Sequence, residues 1–249
     1  MEAVEQLASW LRSASTGVVF TGAGISTESG IPDFRSPGGV WSREKPVMYD
    51  DFMRSRDERV RYWRVREEIY RDTIKAKPNA GHDVVAELQR LGHVSVVITQ
   101  NIDGLHQDAG ADPVIELHGT NRIIACQTCH AEFEPETILE RIRQGEDAPD
   151  CHQCGGPLKS KTISFGQAMP QKEMEDAVRY CASADICLAM GSSLVVEPAA
   201  SLPRIARQRG ARLVIINHTE TPQDAEADLV IREGIGSTLE AVLAMIKQS

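Results

Sequence analysis

The chain has 249 residues, of which 41% are hydrophobic and 25% charged, and its formal net charge at pH 7 is −9. This length suits one large domain or one domain with modest insertions, and the composition is that of an ordinary globular protein. The acidity excludes a bulk attraction to nucleic acids or anionic membranes, and no run approaches the roughly 18 apolar residues of a membrane span. We therefore expect neither as a partner, and we expect a monomer because no coiled-coil pattern is present.

The N-terminal segment carries Glu2 and Glu5 and no long apolar core, which is not the pattern of a signal peptide. We expect a cytoplasmic protein whose thiols stay reduced. Apolar residues from Val4 to Leu11 recur at helical spacing, so we predict an amphipathic helix over residues 2–14.

Short apolar runs and amphipathic stretches then alternate along the chain. We predict buried strands at 18–20, 94–99, 114–117, 186–190, 212–217 and 228–231, and helices at 81–91, 171–182, 198–208 and 237–247. This alternation predicts a Rossmann-like α/β fold, in which a doubly wound parallel sheet is covered by helices on both faces.

Two regions interrupt the alternation. Residues 38–78 are charged and apparently helical, and residues 123–158 hold four cysteines with little apolar periodicity. We predict that both are insertions that form a smaller domain, while 1–37, 79–122 and 159–249 form the Rossmann-like domain.

A glycine-rich turn follows the first predicted strand. Gly22-Ala23-Gly24 provides a tight turn, a close backbone approach and exposed N–H donors for a pyrophosphate. Thr27 stands where the ordinary dinucleotide fingerprint has a third glycine, and no acidic residue ends a second strand about 20 residues later. A standard hydride-transfer dehydrogenase is therefore disfavoured, and a structural turn without a ligand is the simpler alternative for these residues alone.

The cysteines form two Cys-x-x-Cys pairs separated by a short stretch. The four sulfur ligands are those of a closed tetrahedral zinc site, so we expect a structural metal and not a Lewis acid. Iron–sulfur ligation is a less favoured alternative, and four unrelated thiols a remote one. The predicted ligands are Cys126, Cys129, Cys151 and Cys154, while Cys181 and Cys187 are expected in the core.

Polar residues follow several predicted strands directly. Gln100, Asn101 and Asp103 come after the second strand, and His118 ends the third. Ligands bind at the carboxyl ends of strands in open parallel sheets, so these side chains should converge beside the glycine turn. His118 could act there as a general base, because the pKa of histidine lies near neutrality.

The motifs together resemble the sirtuins, the NAD-dependent protein deacylases, in their bacterial form. The matching segments are Gly22–Ser26 with Gly30–Arg35, Thr99–His106, His118-Gly119, the four cysteines, Phe165-Gly166 and Gly191–Leu194. The resemblance implies NAD as co-substrate and one structural zinc. It also implies removal of acetyl or related acyl groups from protein lysines, giving nicotinamide and 2′-O-acyl-ADP-ribose.

The resemblance further implies site residues. The catalytic residues would be His118, Asn101 and Asp103. NAD would contact these and Gly22, Ala23, Gly24, Thr27, Asp33, Phe34, Arg35, Gln100, Ile102, Gly191, Ser192, Ser193, Asn217 and Ile235. An acyl-lysine peptide would pair with Phe165, Gly166, Gln167, Leu194, Val195 and Val196.

Two departures from the family affect the substrate. Gln167 replaces a common glutamate, and we expect peptide contacts to survive. Relatives that remove succinyl or malonyl groups carry a Tyr and an Arg three residues apart, where this chain has Trp63 and Arg66 with Tyr62 adjacent. We expect Arg66 on a solvated helix face and a preference for acetyl or longer neutral groups. NAD-dependent protein ADP-ribosylation and a non-enzymatic zinc-ribbon module remain the alternative functions.

Overall fold

The computed structural model describes residues 2–33 and 45–248. A six-stranded parallel sheet has the order β3-β2-β1-β7-β8-β9. Its strands are β1 (Gly17–Thr21), β2 (Val96–Thr99), β3 (Val114–Glu116), β7 (Ile186–Met190), β8 (Arg212–Ile216) and β9 (Leu229–Ile231). The chain begins centrally at β1, proceeds outward to β3 and later returns to the other side of β1. This confirms the predicted doubly wound fold and places a topological switch point between β1 and β7.

Helices cover both faces of this sheet. Successive side chains of a strand point to opposite faces, so each face has its own apolar cluster. Val19 of β1 packs in one apolar cluster, and Val18 and Phe20 pack in another. The first cluster is closed by α1 (Glu2–Ser13), α4 (Ala80–Arg90) and α9 (Ile235–Lys247), and the second by α7 (Gln171–Ala182) and α8 (Ser201–Gln208). The short α5 (Leu105–Asp108) follows β2.

A second, smaller core lies around an antiparallel sheet of order β5-β4-β6. Its strands are β4 (Gly119–Cys126), β5 (Glu132–Phe133) and β6 (Leu158–Thr162), and its helices are α2 (Tyr49–Arg54), α3 (Arg56–Thr73) and α6 (Pro135–Arg143). Phe52 and Trp63 from the first predicted insertion pack there with Ile124, Ile138 and Leu158. The sheet extends beyond 123–158 on both sides, and the predicted domain boundaries stay a prediction.

Several elements differ from the sequence expectation. Helix α6 was not predicted, because charged residues surround its three apolar positions, Ile138, Leu139 and Ile142. Helix α8 begins three residues later than expected, since a turn with an N–H bond from Ser201 to the Pro198 carbonyl precedes it. None of the helices in the described ranges is long and apolar enough to cross a membrane.

Candidate active site

The carboxyl ends of the central strands lie at one level. Thr21 of β1 is in register with Thr99 of β2 and Met190 of β7, and Met190 with Ile216 of β8. The loops that follow these strands therefore start side by side, as the switch-point rule requires. They surround a cavity of about 590 Å³ that is also lined by β6, α3 and residues 45–47.

Most of the predicted site residues line this cavity. Of the predicted NAD contacts, these are Gly22, Ala23, Gly24, Asp33, Gln100, Asn101, Ile102, His118, Gly191, Ser192, Ser193 and Asn217. Of the predicted peptide contacts, they are Phe165, Gly166, Gln167 and Val196. Phe34 and Arg35 lie outside the described residues.

The glycine turn allows the loops after β1 and β7 to touch backbone to backbone. A Cβ on Gly24 would lie 2.6 Å from the Gly191 Cα, and one on Gly22 would lie 2.8 Å from the Gly191 carbonyl oxygen. The Gly22 and Gly24 N–H groups donate to the Met190 and Gly191 carbonyls at 3.0 and 2.8 Å. The expectation that these two amides are exposed donors is therefore wrong, because the neighbouring loop already accepts from them.

Asn101 is held by the loop that follows β1. Its Nδ2 donates to the Gly22 carbonyl at 3.1 Å and to Ser26 Oγ at 3.2 Å. Ser26 lies in a 3₁₀ helix of seven residues, Ala23–Ser29, which was not predicted from the sequence. The amide orientation of Asn101 is thus fixed by the two groups that accept from it.

Asp103 is turned away from the cavity. It is 9% exposed, accepts from Ser26 Oγ at 2.8 Å through Oδ2, and accepts from the Leu105 N–H at 3.0 Å through Oδ1. It is absent from the cavity wall. In this structure its carboxylate therefore orders the loop and, through Ser26, the amide of Asn101.

His118 stands between β3 and β4 with its imidazole at the cavity wall. Its Nδ1 lies 2.9 Å from the Gln100 carbonyl oxygen, and because a carbonyl only accepts, Nδ1 carries the proton. Nε2 is then the basic nitrogen of the neutral ring. Burial lowers the pKa of His118, partly offset by the hydrogen bond to Gln100, so the ring stays neutral to lower pH than an exposed histidine.

The loops after β7 and β8 complete the wall. Gln100 Nε2 donates to Ser192 Oγ at 2.8 Å, which joins the β2 and β7 loops. Asn217 Nδ2 donates to the Thr219 carbonyl at 2.8 Å, and Thr219 itself lines the cavity. Thr219 was not predicted, since a threonine two residues past a strand carries no distinctive signal.

Other predicted residues do not reach the cavity wall. Thr27 is exposed and its hydroxyl donates to the Gly24 carbonyl at 2.8 Å. Ile235 is buried at the start of α9, where its Cγ2 would lie 3.3 Å from a Cβ on Gly81. Leu194 is packed in the apolar cluster that contains Val18 and Phe20, and Val195 is exposed.

The segment 164–167 forms a closed turn at the cavity mouth. Gln167 N–H donates to the Ser164 carbonyl at 3.0 Å, and Gln167 Oε1 accepts from the Ser164 N–H at 3.1 Å. The Phe165 carbonyl accepts from the Tyr49 N–H at 2.9 Å. Two hydrogen bonds between Ser164 and Gln167 therefore close the turn, and a third ties Phe165 to the start of α2.

One face of helix α3, which was predicted to be solvated, forms part of the cavity wall. Tyr62, Val65, Arg66 and Ile69 line the cavity, so the expectation of a solvated Arg66 is wrong. The guanidinium donates to Asn121 Oδ1 at 3.0 Å and Thr162 Oγ1 at 3.2 Å. Trp63, the residue set in register with Arg66, is buried in the smaller core. Helical spacing from Tyr62 could have revealed this face.

The four cysteines converge as predicted. Their sulfur atoms lie within 4.8 Å of one another, with Cys126 to Cys154 at 3.5 Å and Cys129 to Cys151 at 3.8 Å. A zinc ion with four sulfurs at roughly 2.3 Å requires tetrahedral edges of about 3.8 Å, which fits these separations. The cysteines are thus positioned to hold one structural zinc, and none of the four lines the cavity.

The fold and this cavity are those of a doubly wound nucleotide-binding protein whose smaller part carries four cysteines positioned to hold zinc. A model of the Sir2 family matches residues 22–198. The NAD-dependent protein deacetylase 1 of Bradyrhizobium diazoefficiens is 49% identical over 238 residues, which cover 95% of this chain and 93% of that protein. The NAD-dependent protein deacetylase of Thermodesulfovibrio yellowstonii is 44% identical over 237 residues, with 95% and 93% covered. The chain belongs to the Sir2 family.

Solved structures agree with this assignment. Sir2 in complex with a p53 peptide and NAD+ matches with a TM-score of 0.91 and 35% identity, covering 99% of both chains. Sir2Tm bound to a propionylated peptide matches with a TM-score of 0.89 and 34% identity, again covering 99% of each chain.

Proposed function

We propose roles for individual residues in the reaction of this family. The chain is an NAD-dependent protein deacetylase that removes acetyl groups from lysine side chains. The relatives are named as deacetylases and a solved neighbour holds an acetylated peptide, which favours deacetylation over ADP-ribosyl transfer to protein. NAD supplies the ribose carbon that nicotinamide leaves and the ribose hydroxyl that receives the acetyl group.

His118 is the general base, and its hydrogen bond carries the proposal. The bond from Nδ1 to the Gln100 carbonyl fixes the tautomer and leaves Nε2 as the acceptor at the cavity wall. Nε2 removes the proton of a ribose hydroxyl, and burial keeps the ring neutral for that task. The one ring nitrogen of His118 that can accept a proton therefore lies in the same cavity wall as the glycine turn.

Asn101 orients the ribose beside this base. Its NH₂ group is engaged by Gly22 and Ser26, which leaves the Oδ1 carbonyl to accept from a ribose hydroxyl. Asp103 acts indirectly, because it holds Ser26 and does not line the cavity. Gly22, Ala23, Ser192, Ser193 and Asn217 then bind the diphosphate and the second ribose.

The acyl-lysine peptide pairs between the turn at Gly166 and the segment at Val195. Val195 is 51% exposed and Phe165 is 41% exposed, so both present apolar surface at the mouth. Gln167 stabilises its turn through Oε1, and a glutamate there would provide the same acceptor. Pairing through main-chain groups tolerates varied sequence around the lysine.

Neutral acyl groups are the preferred substrates. Val65, Ile69, Ile102 and Ile163 give the cavity an apolar wall. A dicarboxylic acyl group is the second candidate, favoured by the position of Arg66 in that wall. Both terminal nitrogens of Arg66 already donate to protein oxygens, so a carboxylate must compete for them.

The acyl preference is tested with one peptide carrying acetyl, butyryl or succinyl lysine. We expect kcat/KM for succinyl to be lower than for acetyl by at least about tenfold, the scale of one unmade charged hydrogen bond. Arg66→Met should leave that ranking intact, and Arg64→Met, at an exposed position of the same helix, is the matched control. A succinyl preference lost only in Arg66→Met would establish the second candidate instead.

The reaction itself is tested by nicotinamide release. Release from NAD should require the acetylated peptide, and mass spectrometry should find acetyl-ADP-ribose and unmodified lysine. His118→Ala should remain folded with unchanged zinc content and lose turnover by at least about 10²-fold. Near-normal turnover in that variant, or ADP-ribose attached to the peptide, would contradict these roles.

A cytoplasmic location and a monomeric state, without nucleic acid or membrane as partner, complete the proposal. They rest on the acidic composition and on the reduced thiols that a zinc site needs. Light scattering of the zinc-loaded protein at the chain mass of 27.4 kDa would agree with a monomer, and a doubled mass would contradict it.

A further inference from the structure

Two histidines form a buried pair behind the cavity. His82 lies in α4 and is 0% exposed, and His106 lies in α5 and is 1% exposed. Their ring centroids are 4.9 Å apart with an interplanar angle of 62°. Neither residue lines the cavity, and neither has a role in the chemistry described above.

The hydrogen bonds of the pair fix both tautomers. His82 Nδ1 accepts from the Asn79 N–H at 3.3 Å, so the proton of His82 is on Nε2. The Thr21 hydroxyl donates to Thr99 Oγ1 at 2.8 Å, so Thr21 can only accept from His106 Nε2, 3.0 Å away. The proton of His106 is therefore on Nε2, and its Nδ1 is an acceptor.

The two remaining nitrogens are complementary. His82 Nε2 is a donor and His106 Nδ1 an acceptor, and both are buried with no hydrogen-bond partner in residues 2–33 and 45–248. The rings are in edge contact, but no hydrogen bond joins these two nitrogens, so His82 supports His106 by packing against it.

The chain of bonds ends at the cavity. Thr99 Oγ1 accepts from the Asn101 N–H at 3.0 Å, and the Asn101 side chain lines the cavity. At the other end, Asn79 caps α4 and its Nδ2 donates to the Ile25 carbonyl at 2.8 Å. Hydrogen bonds through Thr21 and Thr99 thus join His106 to the backbone of Asn101, and the ring contact with His82 joins His106 to α4.

The geometry points to a positioning role for His82 and His106. The Nε2–H of His106 orders the hydroxyls of Thr21 and Thr99 and so holds Asn101 against the ribose site. The ring of His82 packs against His106 and fixes its position. This inference rests on the role proposed for Asn101. It adds two residues that do not touch substrate but set the position of one that does.

The surroundings favour the neutral form of both rings. Burial, and then the neighbouring His82, lower the pKa of His106 to about 3. Burial also lowers the pKa of His82, although the carboxylates of Asp103, Asp83 and Glu28 act in the opposite direction. A second proton on His106 would place a charge in the core with no acceptor for Nδ1.

The experiment measures acetyl-peptide-dependent nicotinamide release by the zinc-loaded protein. His106→Leu removes the bond to Thr21 at similar volume and should lower kcat by about 10- to 10²-fold, the scale of a small misplacement of a reacting group. The KM for peptide should change by less than about threefold, because the mouth is untouched. His106→Gln, whose amide can donate to Thr21, should recover most of the lost kcat.

A double-mutant cycle tests whether the histidines act as one unit. If they do, His82→Leu with His106→Leu costs little more kcat than the worse single variant. The half-buried His93, which lies outside the chain of bonds, provides the control His93→Leu with unchanged kcat. Additive losses, or no rescue by His106→Gln, would overturn the inference.

Two further measurements separate possible failures. If His106→Leu does not fold, Thr99→Val breaks the same chain while both histidines remain, and it should show the same loss of kcat at unchanged peptide KM. Normal kcat in Thr99→Val overturns the positioning role. Failure of the wild-type protein to release nicotinamide would refute the deacetylase roles instead, whatever the variants do.

Discussion

Replacing Asp103 by asparagine separates a loop-ordering role from direct contact with substrate. The carboxylate accepts one bond from Ser26 Oγ and one from the Leu105 N–H. In Asp103→Asn one oxygen becomes an NH₂ donor that faces the Ser26 hydroxyl, so one charged bond is lost and two donors meet. Hydrogen bonds to buried charged groups stabilise by about 1.5–3 kcal/mol. We therefore expect the melting temperature to fall by roughly 3–12 °C for a chain of this size.

The same substitution should reduce turnover. Ser26 Oγ also accepts from Asn101 Nδ2, so a displaced Ser26 loosens the amide that faces the cavity. We expect about a tenfold fall in kcat for nicotinamide release, with thermal denaturation followed on the same preparation at fixed zinc concentration. Asp185 is the matched control, since its carboxylate accepts from the Ser15 and Thr16 N–H groups at 2.8 and 3.1 Å away from the cavity.

Asp185→Asn should lower the melting temperature without lowering kcat. For Asp103→Asn, the change in melting temperature is compared with the change in affinity for NAD. A large loss of NAD affinity at unchanged melting temperature would mean that the carboxylate contacts NAD directly, and the loop-ordering role would be refuted.

Three other outcomes follow from the site. Gly24→Ala should lose most activity, because its Cβ would lie 2.6 Å from the Gly191 Cα, and steady-state kinetics with the melting curve will show whether the fold survives. The value of kcat/KM should fall on the acid side of its pH profile with a midpoint below about 6.5, because burial lowers the pKa of His118 and only the neutral ring accepts a proton. A midpoint above that value would contradict the assignment of His118 as the base. Cys129→Ser should lose bound zinc and melt at lower temperature, as measured by metal analysis and calorimetry, whereas Cys181→Ser should keep its zinc.

The sequence predicted the sheet because its strands are short apolar runs between helices. The strand Ile186–Met190 was predicted to the residue, since both of its faces are buried. The convergence of Asn101 and His118 followed from the rule that loops after parallel strands meet at one edge. Such features depend on residue type and order alone.

Other features depended on packing between distant segments. The charged pattern that predicted a solvated α3 also fits a helix whose Arg66 faces a cavity. Arg66 lies there because Asn121 and Thr162 accept hydrogen bonds from its guanidinium. The sequence around Asp103 does not distinguish a carboxylate that contacts a ligand from one that accepts a hydrogen bond from Ser26. Partner choice among polar loop residues is set by the folded backbone, so it could not be predicted.

The cavity floor presents few reactive atoms because most of its polar groups bond to one another. A buried polar group without a partner is costly, so a floor rich in amides and hydroxyls is stable only when they are paired. Gly22, Ser26 and Thr99 are all engaged in this way. The two atoms that we propose meet the reacting ribose are the nitrogen of His118 that Gln100 does not engage and the Oδ1 of Asn101, whose NH₂ group donates to Gly22 and Ser26. The network therefore selects which atoms meet the substrate as well as holding the loops in place.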